Sequence, residues 1–249
     1  MKLLQYVLFF FFALEFSGCD SRSEAQQIVD ESIVAHGGAA FESSLIEFDF
    51  RETHYTIFKT PSAFEYTREF SDSTGMVKDV LNNSGFVRTV NGAVIDTLTE
   101  ERIGAFSRSV NSVAYFAFLP YGLNDPAAVK TYLGETELKG KAYDLVKVTF
   151  VQEGGGEHFE DEFLYWFGRE DRLMDFMAYS YHTDGGGVRM REVSSVSEVG
   201  GIRFQNYLNL KPADKETPVE KMQELYVSGQ LEKLSEINLE NIQVTQLPD

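Results

Sequence analysis

Five alternating segments joined by short, glycine-rich connections most constrain how this chain can fold. They cover residues 143–153, 158–167, 173–183, 188–199 and 202–210. Glycines lie in each connection, at 154–156, 168–172, 184–187 and 200–201. Connections this short allow hairpins and exclude the long crossovers that parallel strands require. The second half of the chain is therefore predicted to be an antiparallel meander.

The first half alternates with the same period after one short helix. Ser23 is a predicted N-cap for a helix over 25–36, and Gly37-Gly38 is the stop signal that follows it. Apolar spacings of three and four predict a second helix over 99–118, which Pro120 ends. Strand-like runs, separated by turn residues, lie between the two helices at 45–51, 53–59, 63–70, 76–81, 84–90 and 93–98.

The C-terminal part has weaker patterns. Residues 219–234 indicate a polar helix broken at Gly229, and residues 239–247 indicate a last strand that closes the sheet. With 21 Phe and 12 Tyr, the composition favours β-structure. We therefore predict a mainly β (α+β) protein: a curved antiparallel sheet or half-open β-barrel of about ten strands. An N-terminal helix and a helical insertion accompany that sheet.

The N-terminus indicates where the protein resides. Lys2 and an apolar run of about a dozen residues, shorter than the ~20 of a membrane span, precede Phe16-Ser17-Gly18-Cys19. This pattern is typical of a lipoprotein signal peptide at 1–18, cleaved so that Cys19 carries lipid. An ordinary secretory signal with a chance cysteine is the alternative. Residues 19–24 would form a tether and residues 25–249 a single domain in the cell envelope, anchored at the outer membrane.

The charge limits the classes of partner. Net charge is −17, and removing residues 1–18 leaves it unchanged because Lys2 and Glu15 cancel. Such acidity argues against binding nucleic acid and against charge-driven attachment to anionic lipid. The membrane is therefore reached through lipid on Cys19, and the other expected partners are a hydrophobic ligand or an envelope protein.

One set of residues could bind a divalent metal. If Phe167 pairs with Leu173 across the hairpin, His158 lies opposite His182, with Glu160 on the same face. Two imidazoles and a carboxylate suit such a metal, the one cofactor the sequence suggests. The alternatives are polar residues on a solvated face, proton sensing, or hydrogen bonding to a ligand.

The second helix and the loop after it form the candidate ligand-binding region. Residues 106–123 are more apolar than a simple cover for the sheet requires, and a carrier would use them to enclose acyl chains. The candidate binding residues are Phe106, Tyr115, Phe118, Leu119 and Tyr121. Alternatively, the helix fills the sheet as core and leaves no cavity.

The order of elements resembles known envelope proteins. After the first helix ends in Ala35-His36-Gly37-Gly38, the long sheet, its helical insertion and segment 132–148 resemble the LolA/LolB-like lipoprotein carriers. The mature chain is more similar still to a family of uncharacterised bacterial lipoproteins. Its members have stretches like 110–113, 119–121, 153–157, 181–187 and 234–239. The resemblance to carriers implies acyl chains held between a half-open barrel and its helices.

Three functions remain open at this point. The first is a membrane-anchored binding protein for a lipid or other hydrophobic ligand. The second is a structural or interaction module of an envelope assembly. The third is a metal-dependent hydrolase built on His158 and His182. Because no nucleophile motif such as G-x-S-x-G occurs, the sequence does not favour an enzyme.

The anchor can be tested with Cys19→Ser. Cys19 is the only cysteine, so the substituted chain has no thiol that could form the thioether to lipid. We expect a soluble or uncleaved protein that incorporates no labelled fatty acid in its host. Labelled fatty acid on the substituted protein would contradict the assignment.

Overall fold

The computed structural model describes residues 22–42, 44–60, 62–151 and 160–247. In these residues fourteen strands form two antiparallel sheets of seven strands each, and the sheets do not close into a barrel. The predicted mainly β class with helices is confirmed. The single sheet of about ten strands is instead two sheets.

The first sheet contains the N-terminal strands and the last strand of the chain. Its order is β14-β1-β2-β3-β4-β5-β6, so β14 returns from the far end of the sequence to pair with β1. The strands are β1 Ser44–Phe50, β2 Thr53–Lys59, β3 Phe64–Asp72, β4 Gly75–Asn82, β5 Gly85–Val90, β6 Ala93–Val94 and β14 Glu240–Gln246. The predicted C-terminal strand therefore exists, and it lies beside the first predicted strand.

The second sheet is the predicted meander, extended by one strand at each end. Its strands follow chain order from β7 to β13, each antiparallel to the next. They are β7 Ala128–Leu138, β8 Lys141–Phe150, β9 Glu162–Gly168, β10 Met174–Tyr181, β11 Gly187–Val199, β12 Ile202–Lys211 and β13 Glu232–Ile237. The predicted connections at 168–172, 184–187 and 200–201 join the expected strands. The connection at 154–156 lies outside the described residues.

The predicted polar helix over 219–234 is wrong for its second half. A short turn at Val219–Lys221 leads into α3, Met222–Val227, after which the chain forms β13. Val219 and Met222 are buried against the outer face of the second sheet, and the Trp166 indole donates a 2.8 Å hydrogen bond to Gln223. This cover explains why β9 is buried on both faces and lacks an alternating pattern.

The N-terminal helix packs on the opposite face of the second sheet. It is α1, Glu24–Ala35, and the predicted cap is confirmed because the Ser23 hydroxyl accepts from the Gln26 backbone N–H at 3.2 Å. Its buried face joins aromatic and aliphatic side chains of β8, β9 and β10 in one core cluster. The α1 residues in this cluster are Ala25, Ile28, Val29 and Ile33.

A buried histidine fixes the end of this helix. The His36 Nδ1–H donates to the Ser32 carbonyl at 2.8 Å, and Nε2 accepts from the Gln205 amide at 3.3 Å. The same Gln205 amide donates to the Met174 carbonyl at 2.8 Å. Because one neutral tautomer satisfies both ring nitrogens, the network joins α1 to β10 and β12 without a buried charge.

The second predicted helix is α2, Glu100–Ala117, and it lies between the two sheets. Val110 and Ala114 pack with the first sheet, whereas Tyr115 and Phe116 pack against the second. One side of α2 therefore contacts the first sheet, and another side contacts the second sheet. Within the described part of the chain, no helix has the length and apolar character needed to cross a membrane.

His36 makes the stability of the fold depend on pH. Burial lowers the pKa of His36 to about 4, whereas an unfolded histidine titrates near 6.5. Between these values the unfolded chain binds more protons, so the stabilisation is complete above pH 6.5 and is lost as the pH falls towards 4. We expect the stability advantage of wild type over His36→Gln to shrink by roughly 3 kcal/mol across this range.

Urea unfolding of both proteins at several pH values measures this difference. His182→Gln is the matched control, since the His182 side chain is 61% exposed. An advantage over His36→Gln that stays constant with pH would show that His36 does not titrate with a lowered pKa.

Candidate functional site

A cavity of about 900 Å³ lies between α2, the first sheet and the second sheet. It opens to solvent. The first sheet contributes the ends of β2, β3 and β4, and the second sheet contributes β8 to β11. Its wall combines polar and charged residues, such as Lys59, Arg108, Asp125 and Asp161, with nine aromatic ones: Phe64, Tyr66, Tyr115, Phe116, Phe118, Phe150, Phe163, Tyr179 and Tyr181.

The aromatic wall on the second sheet is closely packed. Phe163 stacks on Tyr179 with ring centroids 5.6 Å apart, and Phe150 meets Phe163 edge-on at 5.7 Å. Tyr115 of α2 packs 5.7 Å from the same Phe163 ring. Rings held on several sides by other rings have little freedom to collapse inward, so this wall favours a stable open volume.

A hydroxyl pair fixes α2 to this wall. The Tyr115 and Tyr165 hydroxyls are 2.7 Å apart, and Tyr165 is fully buried. Burial raises the pKa of both hydroxyls, so both stay neutral at physiological pH. The pair satisfies two polar groups that would otherwise be buried without partners.

Two arginines of β11 belong to the polar part of the wall. Arg189 and Arg191 are two residues apart and therefore on one face of the strand. Arg189 donates to the Tyr181 hydroxyl at 2.6 Å, and Arg191 donates to the Tyr179 hydroxyl at 3.0 Å. These two arginines are not among the candidate residues predicted from the sequence. Their signal there is a spacing of two residues within a predicted strand.

A second, smaller cavity of about 230 Å³ borders the first. Ser112, Phe116 and Arg191 belong to the walls of both cavities. The rest of its lining is mixed, with Arg51, Gln205, Asn209 and Ser235 beside apolar residues such as Tyr207 and Ile237. A larger space therefore adjoins a smaller one across a shared wall.

The predicted ligand-binding residues are divided between cavity and core. Tyr115 and Phe118 line the larger cavity, and Phe118 is also part of the first-sheet core, at 3% exposure. Leu119 is buried in the second-sheet core, and Tyr121 stacks on Phe41 at 5.1 Å. A ligand-binding role for these residues stays a prediction.

Phe106 lies away from the cavity, in a cation–aromatic cluster on the first sheet. The Arg88 guanidinium lies 3.4 Å above its ring, and Arg88 pairs at 2.6 Å with the fully buried carboxylate of Asp79. Arg68 pairs with the same carboxylate at 2.7 Å. This cluster attaches the first half of α2 to β3, β4 and β5.

The predicted register of the histidine hairpin is wrong by two residues. We expected Glu160 opposite Ser180, whereas the structure pairs Glu162 with Ser180. Phe167 pairs with Met174 instead of Leu173, which shifts the register by one residue, and a bulge between Met174 and Phe176 adds a second. A total shift of two residues leaves the face unchanged. The expected contact between His158 and His182 depends on His158, which lies outside the described residues.

The other two residues of the predicted metal set, His182 and Glu160, are exposed. The His182 side chain is exposed, and its Nδ1 lies 3.3 Å from the Asp161 carboxylate. Glu160 is exposed just before β9. The described residues contain no group of three or more His, Cys, Asp or Glu side chains that could hold a metal ion. A metal site on this hairpin is therefore a prediction that rests on His158.

Two sheets around a helix and a half-open cavity define a LolA-like fold. A LolA superfamily protein from Nitrosomonas europaea superposes with a TM-score of 0.51 over 92% of this chain and 95% of its own, at 9% identity. A putative outer membrane lipoprotein-sorting protein domain from Vibrio parahaemolyticus matches at a TM-score of 0.40, 6% identity, and 90% and 94% coverage. At these identities the likeness concerns the fold alone.

The sequence places the chain in a particular family. It belongs to the family of unknown function DUF6503, whose pattern matches residues 5–239. No curated protein matches the chain significantly. The resemblance to LolA-like proteins and to an uncharacterised family, read from the sequence, is thus confirmed.

The Tyr115–Tyr165 pair generates a stability prediction. Tyr115→Phe leaves the buried Tyr165 hydroxyl without a partner, so the free energy of unfolding should fall by about 1–3 kcal/mol. Tyr115→Phe combined with Tyr165→Phe removes both hydroxyls and should recover most of this loss. Urea unfolding of the single and double variants measures the coupling.

Tyr66→Phe is the control, because it changes another tyrosine of the cavity wall whose ring packs with Phe64 and Phe118. We expect it to alter stability by less than about 0.5 kcal/mol. Equal losses in the single and double variants would mean that the hydroxyls are not coupled.

Proposed function

We propose that this protein binds a lipid or other hydrophobic ligand in the cavity between α2 and the two sheets, while a lipid on Cys19 anchors it in the cell envelope. The cavity carries the proposal. Its volume of about 900 Å³ lies in the range of small-molecule sites, whereas a closely packed core leaves no space of this size.

The wall chemistry suits a ligand with hydrocarbon chains. Each methylene moved from water to an apolar wall contributes roughly 0.8 kcal/mol, so a chain of moderate length gains enough for stable binding. Three tyrosines of the wall have bonded hydroxyls: Tyr115 with Tyr165, Tyr179 with Arg191 and Tyr181 with Arg189. Such a wall recognises shape and apolar surface.

The proposed location follows from the N-terminal sequence and the family resemblance. The Cys19 lipobox supplies an anchor, and a structural neighbour is named for outer membrane lipoprotein sorting. We therefore propose attachment at the outer membrane. The described fold begins a few residues after Cys19, so the cavity would lie close to the membrane that holds the anchor.

A test of ligand binding must leave the core intact. All three core clusters lie between Ala25 and Val244, so the chain from Asp20 onward keeps every residue that builds them. Phe118 serves core and cavity together, and Phe118→Asp would destabilise the fold whatever the cavity does. Ser107 is the better position, because it is half-buried and lines the cavity outside the clusters.

Ser107→Trp should fill part of the cavity and block binding. We expect the anchor-free wild type to take up the neutral dye phenylnaphthylamine with a rise in fluorescence, and the variant to bind it about tenfold more weakly or worse. Ala105→Trp is the matched control: it adds the same side chain to an exposed position of α2 outside the cavity wall.

Thermal unfolding of the three proteins shows that the fold is retained. Uptake by wild type and by Ala105→Trp, but not by Ser107→Trp, supports binding in this cavity. A wild type that takes up no dye, or equal uptake by all three proteins, would contradict the proposal.

A further inference from the structure

Arg191 is a buried cation that forms no ion pair with a carboxylate of the described residues. Its side chain lies in the cavity wall, and the residue is 7% exposed. The guanidinium lies 3.7 Å above the Phe116 ring and donates one hydrogen bond, to the Tyr179 hydroxyl at 3.0 Å. Its Nε–H is buried and has no partner among the described residues.

Such a cation is costly unless something neutralises it. Buried charges in proteins are normally paired, because a charge taken out of water loses its hydration. The Phe116 ring compensates part of this loss through its negative face. Tyr165 and Tyr207 cannot provide the missing charge, since burial raises the pKa of both hydroxyls well above neutrality.

Arg191 also occupies a special position between the two cavities. It lies in the wall that they share, together with Ser112 and Phe116. Its neighbour in register on β12 is Asn209, whose Oδ1 is likewise buried without a partner. Asn209 donates to the Ser235 hydroxyl at 3.1 Å through Nδ2.

The Asn209 side-chain amide can also donate hydrogen bonds to an anion. A half turn of the amide would let Oδ1 accept from the Ser235 hydroxyl and would direct Nδ2–H₂ to the space beside Arg191. The smaller cavity would then offer two donors, the Arg191 Nε–H and the Asn209 amide. Its volume of about 230 Å³ is suited to a head group rather than to a whole lipid.

We propose that Arg191 receives the anionic head group of an amphiphile whose hydrocarbon tail lies in the larger cavity. This inference rests on the proposed function and specifies its ligand class. A carboxylate and a phosphate share the chemistry that an arginine recognises, namely oxygens that accept charge-assisted hydrogen bonds from the guanidinium.

The experiment compares ligands that share a tail and differ in the head. Dodecanoate, dodecyl phosphate, dodecanol and dodecyltrimethylammonium compete with bound phenylnaphthylamine on the anchor-free chain at neutral pH. We expect wild type to bind an anionic ligand about tenfold or more tightly than the alcohol, and the cation most weakly. The tighter of the two anions identifies the head group as carboxylate or phosphate.

Three substitutions assign the preference to Arg191. Arg191→Gln should bind the anions no better than it binds dodecanol, so the measured quantity is the ratio of the two affinities within each protein. Arg191→Lys, which keeps the charge, should retain a preference for the anions and serves if the Gln variant does not fold. Arg203→Gln is the matched control, because Arg203 also has a buried, unpartnered Nε but lies outside both cavity walls.

The outcomes separate this inference from the proposed function. Equal binding of dodecanoate, dodecyl phosphate and dodecanol by wild type overturns the role of Arg191 and leaves hydrophobic binding intact. An anion preference that survives in Arg191→Gln, or is lost in Arg203→Gln, overturns it as well. If wild type binds no dye, so that no ligand can displace it, the proposed function itself fails.

Discussion

The hydrogen-bond network of His36 is the constraint on which the arrangement of the two sheets depends. Beside the side-chain bonds, the His36 carbonyl accepts from the Arg203 backbone N–H at 2.9 Å. Gly37 follows with φ of +122°, and a Cβ there would lie 2.5 Å from the Gly201 carbonyl oxygen. Only glycine permits this approach. The chain therefore leaves α1, which is packed on the second sheet, and enters the first sheet at β1 from one fixed point on the β11–β12 turn.

The contacts of His36 and Gly37 with β12 and the β11–β12 turn form a junction between the two sheets. This His36 junction explains why the sheets meet on one side and leave a cavity on the other. β14 pairs with β1 and contacts β11, so the two sheets meet beside the His36 junction. Farther along, α2 separates them, and its own faces are divided between the two sheets. A helix fills only part of the space between two diverging sheets, and the aromatic wall of β8 to β10 is too well packed to close the remainder. The cavity is thus a consequence of the topology.

The hairpins of β8 to β12 and the last strand, β14, were readable from the sequence, whereas β7 and β13 were not. The β8–β12 meander follows from its glycine connections. β7 escaped detection because apolar residues lie on both of its faces: Val129 and Leu133 are 45% and 46% exposed, while Tyr132 and Leu138 pack inward. β13 has Glu232, Lys233 and Glu236 in six residues, a composition that favours helix. Pairing with β12 overrides that preference, and such charges are typical of an edge strand.

The candidate site was predictable in its apolar part only. The spacing of Phe106, Val110 and Phe118 identified α2 as a helix with an apolar face, but periodicity does not tell which side of the helix faces a sheet and which faces a cavity. Arg191 gave no signal, because an arginine in a strand of a chain with net charge −17 is ordinarily a surface residue. Its burial depends on α2 crossing above β11, a tertiary feature.

The acidic surface of the protein repels anions at long range, and salt screens this repulsion over a distance of about 10 Å. An anionic group beside Arg191 would therefore be held by short-range, desolvated contacts, so selectivity would belong to the cavity and not to the charge of the whole protein.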